Sequence, residues 1–274
     1  PSPASGAMGV STNPTLCVNV SDPDGDAMTV TLRGRPTGQP VPQDFTIIAL
    51  PDTQYYAQSY PATFTAQTQW IVNNRLGRRI AFVTQLGDCV NDGNTIPTQW
   101  TNANAAFSLL EDAFTTGLMD GIPYGIAVGN HDQTPAGTPR SSGNEGTAFG
   151  GAAGVFGGTT QYYNQTFGAF RFQGRGYFGD NYDFGAPAQY ADNMDNHYEL
   201  FTAGGMSFIA FHLEWDDTDN PTRQAVLNWV HTLLSTTYSN RRAMITSHYL
   251  LNTNGTFSNQ GQAVFNAIRD LPNV

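Results

Sequence analysis

From Phe45 onward, short apolar runs alternate with amphipathic stretches, and this alternation constrains the fold more than any other feature of the chain. Phe45 to Leu50 reads as a buried strand. Pro61 opens a helix through Phe64, Trp70 and Ile71 that stops at Gly77. Ile80 to Leu86 forms a second strand, Pro97 to Thr116 a second helix with Trp100, Phe107, Leu110 and Phe114 on one face, and Tyr124 to Val128 a third strand. The segment from 133 to 195 is rich in Gly, Tyr, Asn and Phe and shows too few periodic positions for regular structure, so it is expected to be a long functional loop. His197 to Thr202 and Met206 to Trp215 flank Gly204-Gly205 and predict a hairpin. Asn220 and Pro221 then supply an N-cap and first-turn proline for another helix, Ala243 to Thr246 a strand, and Gln260 to Ile268 a last helix. Strand and helix taken in turn predict a layered α/β domain.

Residues 1–43 differ. They are rich in Pro, Ser, Gly and Thr, and alternation at Leu16, Val18 and Val20 and again at Met28, Val30 and Leu32 predicts a β-hairpin around Asp22-Pro23-Asp24-Gly25-Asp26. This hairpin resembles the last one of an immunoglobulin-like surface repeat, which implies missing strands before Pro1 and further domains in the same polypeptide.

All 12 basic residues are arginines, and the 22 acids divide into 18 aspartates and 4 glutamates, for a net charge of -10. An acidic body without a basic run repels phosphate backbones, which excludes a nucleic-acid groove. Aspartate in such excess favours turns and cation sites over charged helix faces. No apolar stretch approaches the roughly 18–20 residues of a membrane span. The lysine-free, Asn-, Thr-, Tyr- and Gly-rich composition is that of an extracellular or cell-surface protein. The two cysteines, Cys17 and Cys89, are too few for a disulfide framework, and Cys89 at an apolar strand end is expected to be a buried free thiol.

Chemistry collects where the strands end. The first strand runs into Asp52-Thr53-Gln54, the second into Gly87-Asp88, the third into Gly129-Asn130-His131-Asp132, and a later one into Ser247-His248. In an open α/β sheet the carboxyl ends of the strands form the ligand-binding edge, so these residues can converge despite their separation in sequence. Either Asp52 or Asp88 alone would be read as a turn cap. Jointly they predict a metal site.

Gly87-Asp88-Cys89-Val90-Asn91-Asp92 followed by Gly129-Asn130-His131-Asp132, each after a strand, resembles the calcineurin-like metallophosphoesterases over residues 44–274. The resemblance implies a four-layer α/β/β/α sandwich of two mixed sheets. It also implies two metal ions, drawn from Mn, Fe, Zn or Mg, and hydrolysis of a small phosphate monoester or phosphodiester by a two-metal-activated hydroxide. Carried over by position, Asp88 bridges the metals, Asp52 binds the first, Asn130 and His248 bind the second, and His131 acts as the general acid or as the histidine that orients the phosphate. Gln54 stands where the family has histidine, and its neutral amide oxygen favours a harder ion than Zn. The Asp52-Thr53-Gln54-Tyr55-Tyr56 run nevertheless resembles a recurring branch of the family. No G-H-x-H motif occurs, and it is expected on a strand beyond Val274.

Tyr55 and Tyr56 are candidate pocket walls. His212 and Glu214 share one strand face and are a further pocket pair, although a satisfied core histidine is the stronger reading for His212. Asp92 and Asp132 read as turn residues, the latter supporting His131. The incomplete histidine set also leaves room for a non-catalytic extracellular module that keeps the fold as a scaffold.

Overall fold

The structure is a computed structural model that describes residues 44–93, 97–139, 160–182, 193–219 and 221–274. The hairpin expected within residues 1–43 and the N-cap at Asn220 lie outside the described residues.

Two sheets carry the fold. The first holds β1 (Thr46–Leu50), β2 (Ile80–Gln85) and β3 (Tyr124–Ile126) in the order β1-β2-β3, with both pairings parallel. The second holds β4 (Phe178–Asn181), β5 (His197–Ala203), β6 (Met206–Leu213) and β7 (Arg242–Ser247) in chain order; its first two pairings are antiparallel and β6–β7 is parallel. Only the second sheet is therefore mixed among the described strands. The β5–β6 hairpin turns on Gly204 and Gly205, whose φ values of 56° and 74° suit a two-residue turn that residues with a Cβ resist.

A period of two sorts the strands between layers. On β2, Phe82 and Thr84 face the second sheet, while Val83 joins the helix-side core. On β5 and β6, Phe201, Ala203, Phe208 and Ala210 meet Phe82 between the sheets, with Phe82 stacked on Phe201 at a 4.6 Å ring separation. Truncating a buried ring such as Phe82 to alanine costs about 3–5 kcal/mol.

The opposite face of the first sheet carries α2 (Pro61–Arg78) and α3 (Pro97–Glu111), which bury Phe64, Ile71, Trp100, Phe107 and Leu110. The outer face of the second carries α7 (Pro221–Ser235) and α8 (Asn259–Ile268) over Tyr198, Ile209, Phe211 and Leu213.

Four sequence expectations change. The helix expected over Pro97 to Thr116 is broken at Asp112, whose side chain accepts from the Phe114 and Thr115 N–H groups and starts the separate α4 (Ala113–Thr116). Phe114 is left 95% exposed instead of in the core. Trp70 is also half-exposed, with the Arg78 guanidinium over its ring at 5.1 Å. Strand β1 is only partly buried along most of its length. Finally, the 133–195 segment contains α5 (Gln161–Phe167), α6 (Ala169–Phe172) and β4. Their apolar residues, including Tyr163, Phe167 and Phe172, are spent on long-range packing that leaves no local period to read.

Candidate metal centre

The chain leaves β1 through Pro51 and Asp52 before α1 (Gln54–Ser59) begins. Asp52 Oδ1 accepts from the Gln54 backbone N–H at 2.9 Å, an aspartate turn, and Oδ2 accepts from Gln54 Nε2 at 2.8 Å. The amide is thereby oriented with Gln54 Oε1 buried and without a hydrogen-bond partner.

After β2 the chain turns through two left-handed residues, Gly87 at φ 92° and Asp88 at φ 51°. Aspartate tolerates this region better than most residues with a Cβ. The Gln85 side chain brackets the turn: Oε1 accepts from Gly87 N–H and Nε2 donates to Gly87 O, both at 2.8 Å. The turn aims the buried Asp88 carboxylate at the loop after β3, where Oδ1 accepts from the His131 backbone N–H at 2.8 Å. Gly129 lies against Asp88 so closely that a Cβ would fall on its backbone N and Oδ1.

Asp132 clamps the two loops. Its buried carboxylate accepts three backbone N–H groups, Cys89 at 3.1 Å, Val90 at 3.0 Å and Gly129 at 2.9 Å. Burial and the neighbouring Asp88 charge push its pKa up to about 7, against the three N–H donors that favour the charged form. The first loop joins the same assembly through Thr53 N–H to Asp88 O at 3.1 Å.

His248 follows directly on β7. Its Nδ1–H donates to Leu86 O at 3.0 Å, which turns Nε2 toward Asp88 Oδ2 at 3.1 Å. Burial lowers the basicity of the imidazole, but the hydrogen bond and charge of Asp88 outweigh this and raise its pKa to about 9. One ligand atom each from Asp52, Asp88 and His248 lies within 4.8 Å of the others. Three strand ends of two sheets thus bring two carboxylates and an imidazole nitrogen to one point.

His131 stands beside this group through its N–H to Asp88, and its Nδ1–H donates to Asn91 O at 2.8 Å, leaving Nε2 for another partner. Asn130 is half-buried between Gly129 and His131, and its carbonyl accepts from Gly137 N–H. Asp92 does not join the ligand group. Its carboxylate accepts from Gln99, Asn91 and Gln58, which lower its pKa and tie α1 to α3. Cys89 is a free, buried thiol whose pKa burial pushes up.

The pocket residues fare unevenly. Tyr55 is 60% exposed on α1, whereas Tyr56 packs partly against the helix-side core. Glu214 is buried and accepts from Gln133 Nε2 at 2.8 Å. His212 is not in the ligand group of Asp52, Asp88 and His248. The inward alternation of β6 puts it wholly between the sheets, beside Glu199 and His197 of β5. Burial lowers His197 to about 4 and His212 to about 3 and raises Glu199 to about 8. Glu199 escapes a motif reading, although its two-residue spacing from His197 signals a shared strand face. The clamp at Asp132 is likewise invisible until the backbone donors of both loops are placed.

A separate cleft of about 570 Å³ between α3 and the α5–α6 region is lined by Trp100, Asn104, Glu111, Tyr162, Phe170 and Arg171, none of them in the ligand group.

No protein-family model matches the chain. It is 30% identical over 236 residues to an uncharacterized protein, YvnB, of Bacillus subtilis (strain 168). That match covers 86% of this chain but 15% of the relative, so the chain spans only a small part of the relative's length. Among solved structures, the chain is similar to a dimetal phosphatase from Danio rerio, with a TM-score of 0.40, 13% identity, and coverage of 82% of this chain and 77% of that one.

Proposed function

We propose that the protein is a metal-dependent phosphoesterase whose ions are held by Asp52, Gln54, Asp88, Asn130 and His248. The observation that carries this reading is the meeting of the Asp52, Asp88 and His248 ligand atoms within 4.8 Å, at strand ends whose motifs resemble those of calcineurin-like metallophosphoesterases. The donor set fits divalent cations. It offers two carboxylates, an imidazole whose other nitrogen is fixed by a backbone carbonyl, and the buried, unpartnered Gln54 Oε1. Under the same reading, the packed layers are the four-layer α/β/β/α sandwich, residues 44–274 are the phosphoesterase domain, and the acidic, lysine-free composition fits an exported protein.

Bound divalent cations supply a Lewis acid for the phosphoryl oxygens and lower the pKa of water to near neutrality. The chain's own residues supply position and protons. Asp88 is held from both sides, by its left-handed turn and by the His131 N–H, so its carboxylate needs no reordering to bind. With Nδ1–H committed to Asn91 O, the His131 ring is fixed; in its doubly protonated form Nε2–H would give its proton to the leaving oxygen of a phosphate mono- or diester, leaving the neutral Nδ1–H ring. By holding cations, Asp52 and Asp88 would offset the negative field that otherwise repels the substrate.

The test is hydrolysis of alkyl phosphate monoesters and diesters, whose strongly basic leaving alkoxides need a proton, with Mn, Fe, Zn or Mg supplied. Asp88→Asn and His131→Ala are each expected to lower turnover by about 100-fold or more. Wild-type rates in both variants refute the mechanism, and no turnover by the unchanged protein with any of the four ions favours the scaffold reading.

A further inference from the structure

A second group of ligand-type side chains lies wholly between the sheets. His197 and Glu199 sit two apart on β5 and share its inward face, and His212 of β6 is the direct cross-strand partner of His197. All three are 0% exposed, and one ligand atom from each lies within 4.8 Å of the others. The first sheet packs closely over the group. Gly125 of β3 faces the group, and a Cβ there would collide with the His212 ring and Glu199 Oε2.

A backbone carbonyl fixes what His197 points inward. His197 Nδ1 is 2.7 Å from Met194 O, which can only accept, so that nitrogen carries the proton and Nε2 presents a lone pair to Glu199 Oε1 at 3.4 Å. His212 Nε2 is held at 2.9 Å by Thr84 Oγ1, itself 2.9 Å from Thr246 Oγ1, and His212 Nδ1 lies 2.8 Å from Glu199 Oε2. Neither approach has hydrogen-bond geometry. His197 Nε2, His212 Nδ1 and both Glu199 oxygens are all buried without a hydrogen-bond partner. Thr84 Oγ1 can accept from His212 Nε2 while donating to Thr246 Oγ1, and in that arrangement the His212 Nδ1 lone pair joins those of His197 Nε2 and the Glu199 oxygens, a buried set that is costly unless positive charge lies between its members.

We propose that His197 Nε2, His212 Nδ1 and the Glu199 carboxylate bind one structural Zn²⁺ that pins β5 and β6 beneath the first sheet. Two imidazoles and a carboxylate are a zinc-type set, and each histidine has its second nitrogen engaged by a carbonyl or hydroxyl, as ligating histidines do. Ligands at roughly 2.0–2.2 Å around a tetrahedral ion stand about 3.3–3.6 Å apart. The His197–Glu199 separation of 3.4 Å already suits this, and the His212–Glu199 separation of 2.8 Å opens by about half an ångström. None of the three residues belongs to the proposed catalytic group, so this site stands or falls independently of that function.

The test begins with a protein carrying Asp88→Asn and His248→Ala, which removes the other metal group. Grown with zinc, it is expected to retain about one zinc per chain by elemental analysis, and X-ray absorption should show two imidazoles in a nitrogen/oxygen shell. Adding Glu199→Gln, which is nearly isosteric, is expected to abolish retention. Independently, the same Asp88→Asn, His248→Ala protein is unfolded in guanidinium with chelator and refolded with and without stoichiometric zinc. Zinc is expected to raise Tm by about 10 °C or more. Folded protein without zinc, a Glu199→Gln variant that still holds it, or an identical Tm on zinc-free refolding overturns the proposal. The last result, together with a stable Glu199→Gln variant, would identify a proton shared among the three side chains instead. If Glu199→Gln does not fold, the refolding comparison decides.

Discussion

His248 makes the metal-free protein sensitive to alkali in a way that can be calculated. Its imidazole titrates near 6.5 when unfolded and is raised to about 9 in the fold, where Nε2 faces Asp88 Oδ2 at 3.1 Å and the side chain is 18% exposed. Because the folded value is the higher one, the resulting stability is fully present below pH 6.5 and is lost as pH rises toward 9. The shift of about 2.5 units corresponds to roughly 3 kcal/mol, lost at up to about 1.4 kcal/mol per pH unit. Urea unfolding of wild type and His248→Gln in the presence of chelator, from pH 6 to 10, measures this. The stability difference between the two proteins is expected to shrink by about 2–3 kcal/mol between pH 6.5 and 9. Taking the difference cancels titrations that are independent of His248 and common to both chains. Metal should respond in the opposite sense. A ligating Nε2 must first lose its proton, so affinity is expected to rise with pH up to about 9, and titration calorimetry in two buffers at pH 7.5 should detect about one proton released. A pH-independent stability difference, or binding enthalpies indifferent to the buffer, would refute the His248–Asp88 pairing as the controlling contact.

Gly129→Ala puts a Cβ on the Asp88 backbone and carboxylate, and is expected to weaken metal binding at least about tenfold while costing about 2 kcal/mol or more in urea unfolding. Unchanged metal affinity would mean that the loops separate more freely than the Asp132 clamp implies. Asp52→Asn should divide function from stability. The residue is exposed, so the unfolding midpoint of metal-free protein should move by less than about 0.5 kcal/mol, while metal affinity falls about 10–100-fold. A loss of stability with unaltered metal affinity would remove Asp52 from the ligand set.

Much of the fold was legible because its signals are local. The 3.6-residue period from Phe64 to Ile71, the Pro97 start of α3 and the Gly204-Gly205 turn each lie within one element, and the structure has each of them. The Asp112 break was not legible as a stop. An aspartate inside an amphipathic run reads as a surface position until its side chain is seen to take the next helix's N–H groups. Likewise, Tyr163, Phe167 and Phe172 carry no readable period, since their partners are Trp100, Phe107 and Tyr124, far away in the chain.

For the candidate site, the sequence by itself determined which strand ends carry oxygen and nitrogen donors, because strand ends are set by local apolar runs and turn residues. Only the tertiary structure decided which of those donors meet. Asp88 and His248 are 160 residues apart and face one another because the Gly87 turn makes room for the imidazole and Leu86 O fixes its ring. The burial of His197, Glu199 and His212 was also a tertiary decision. Strand alternation puts them on one face, but only the first sheet, closing over them with Gly125 and Thr84, turns three polar side chains into a fully buried cluster.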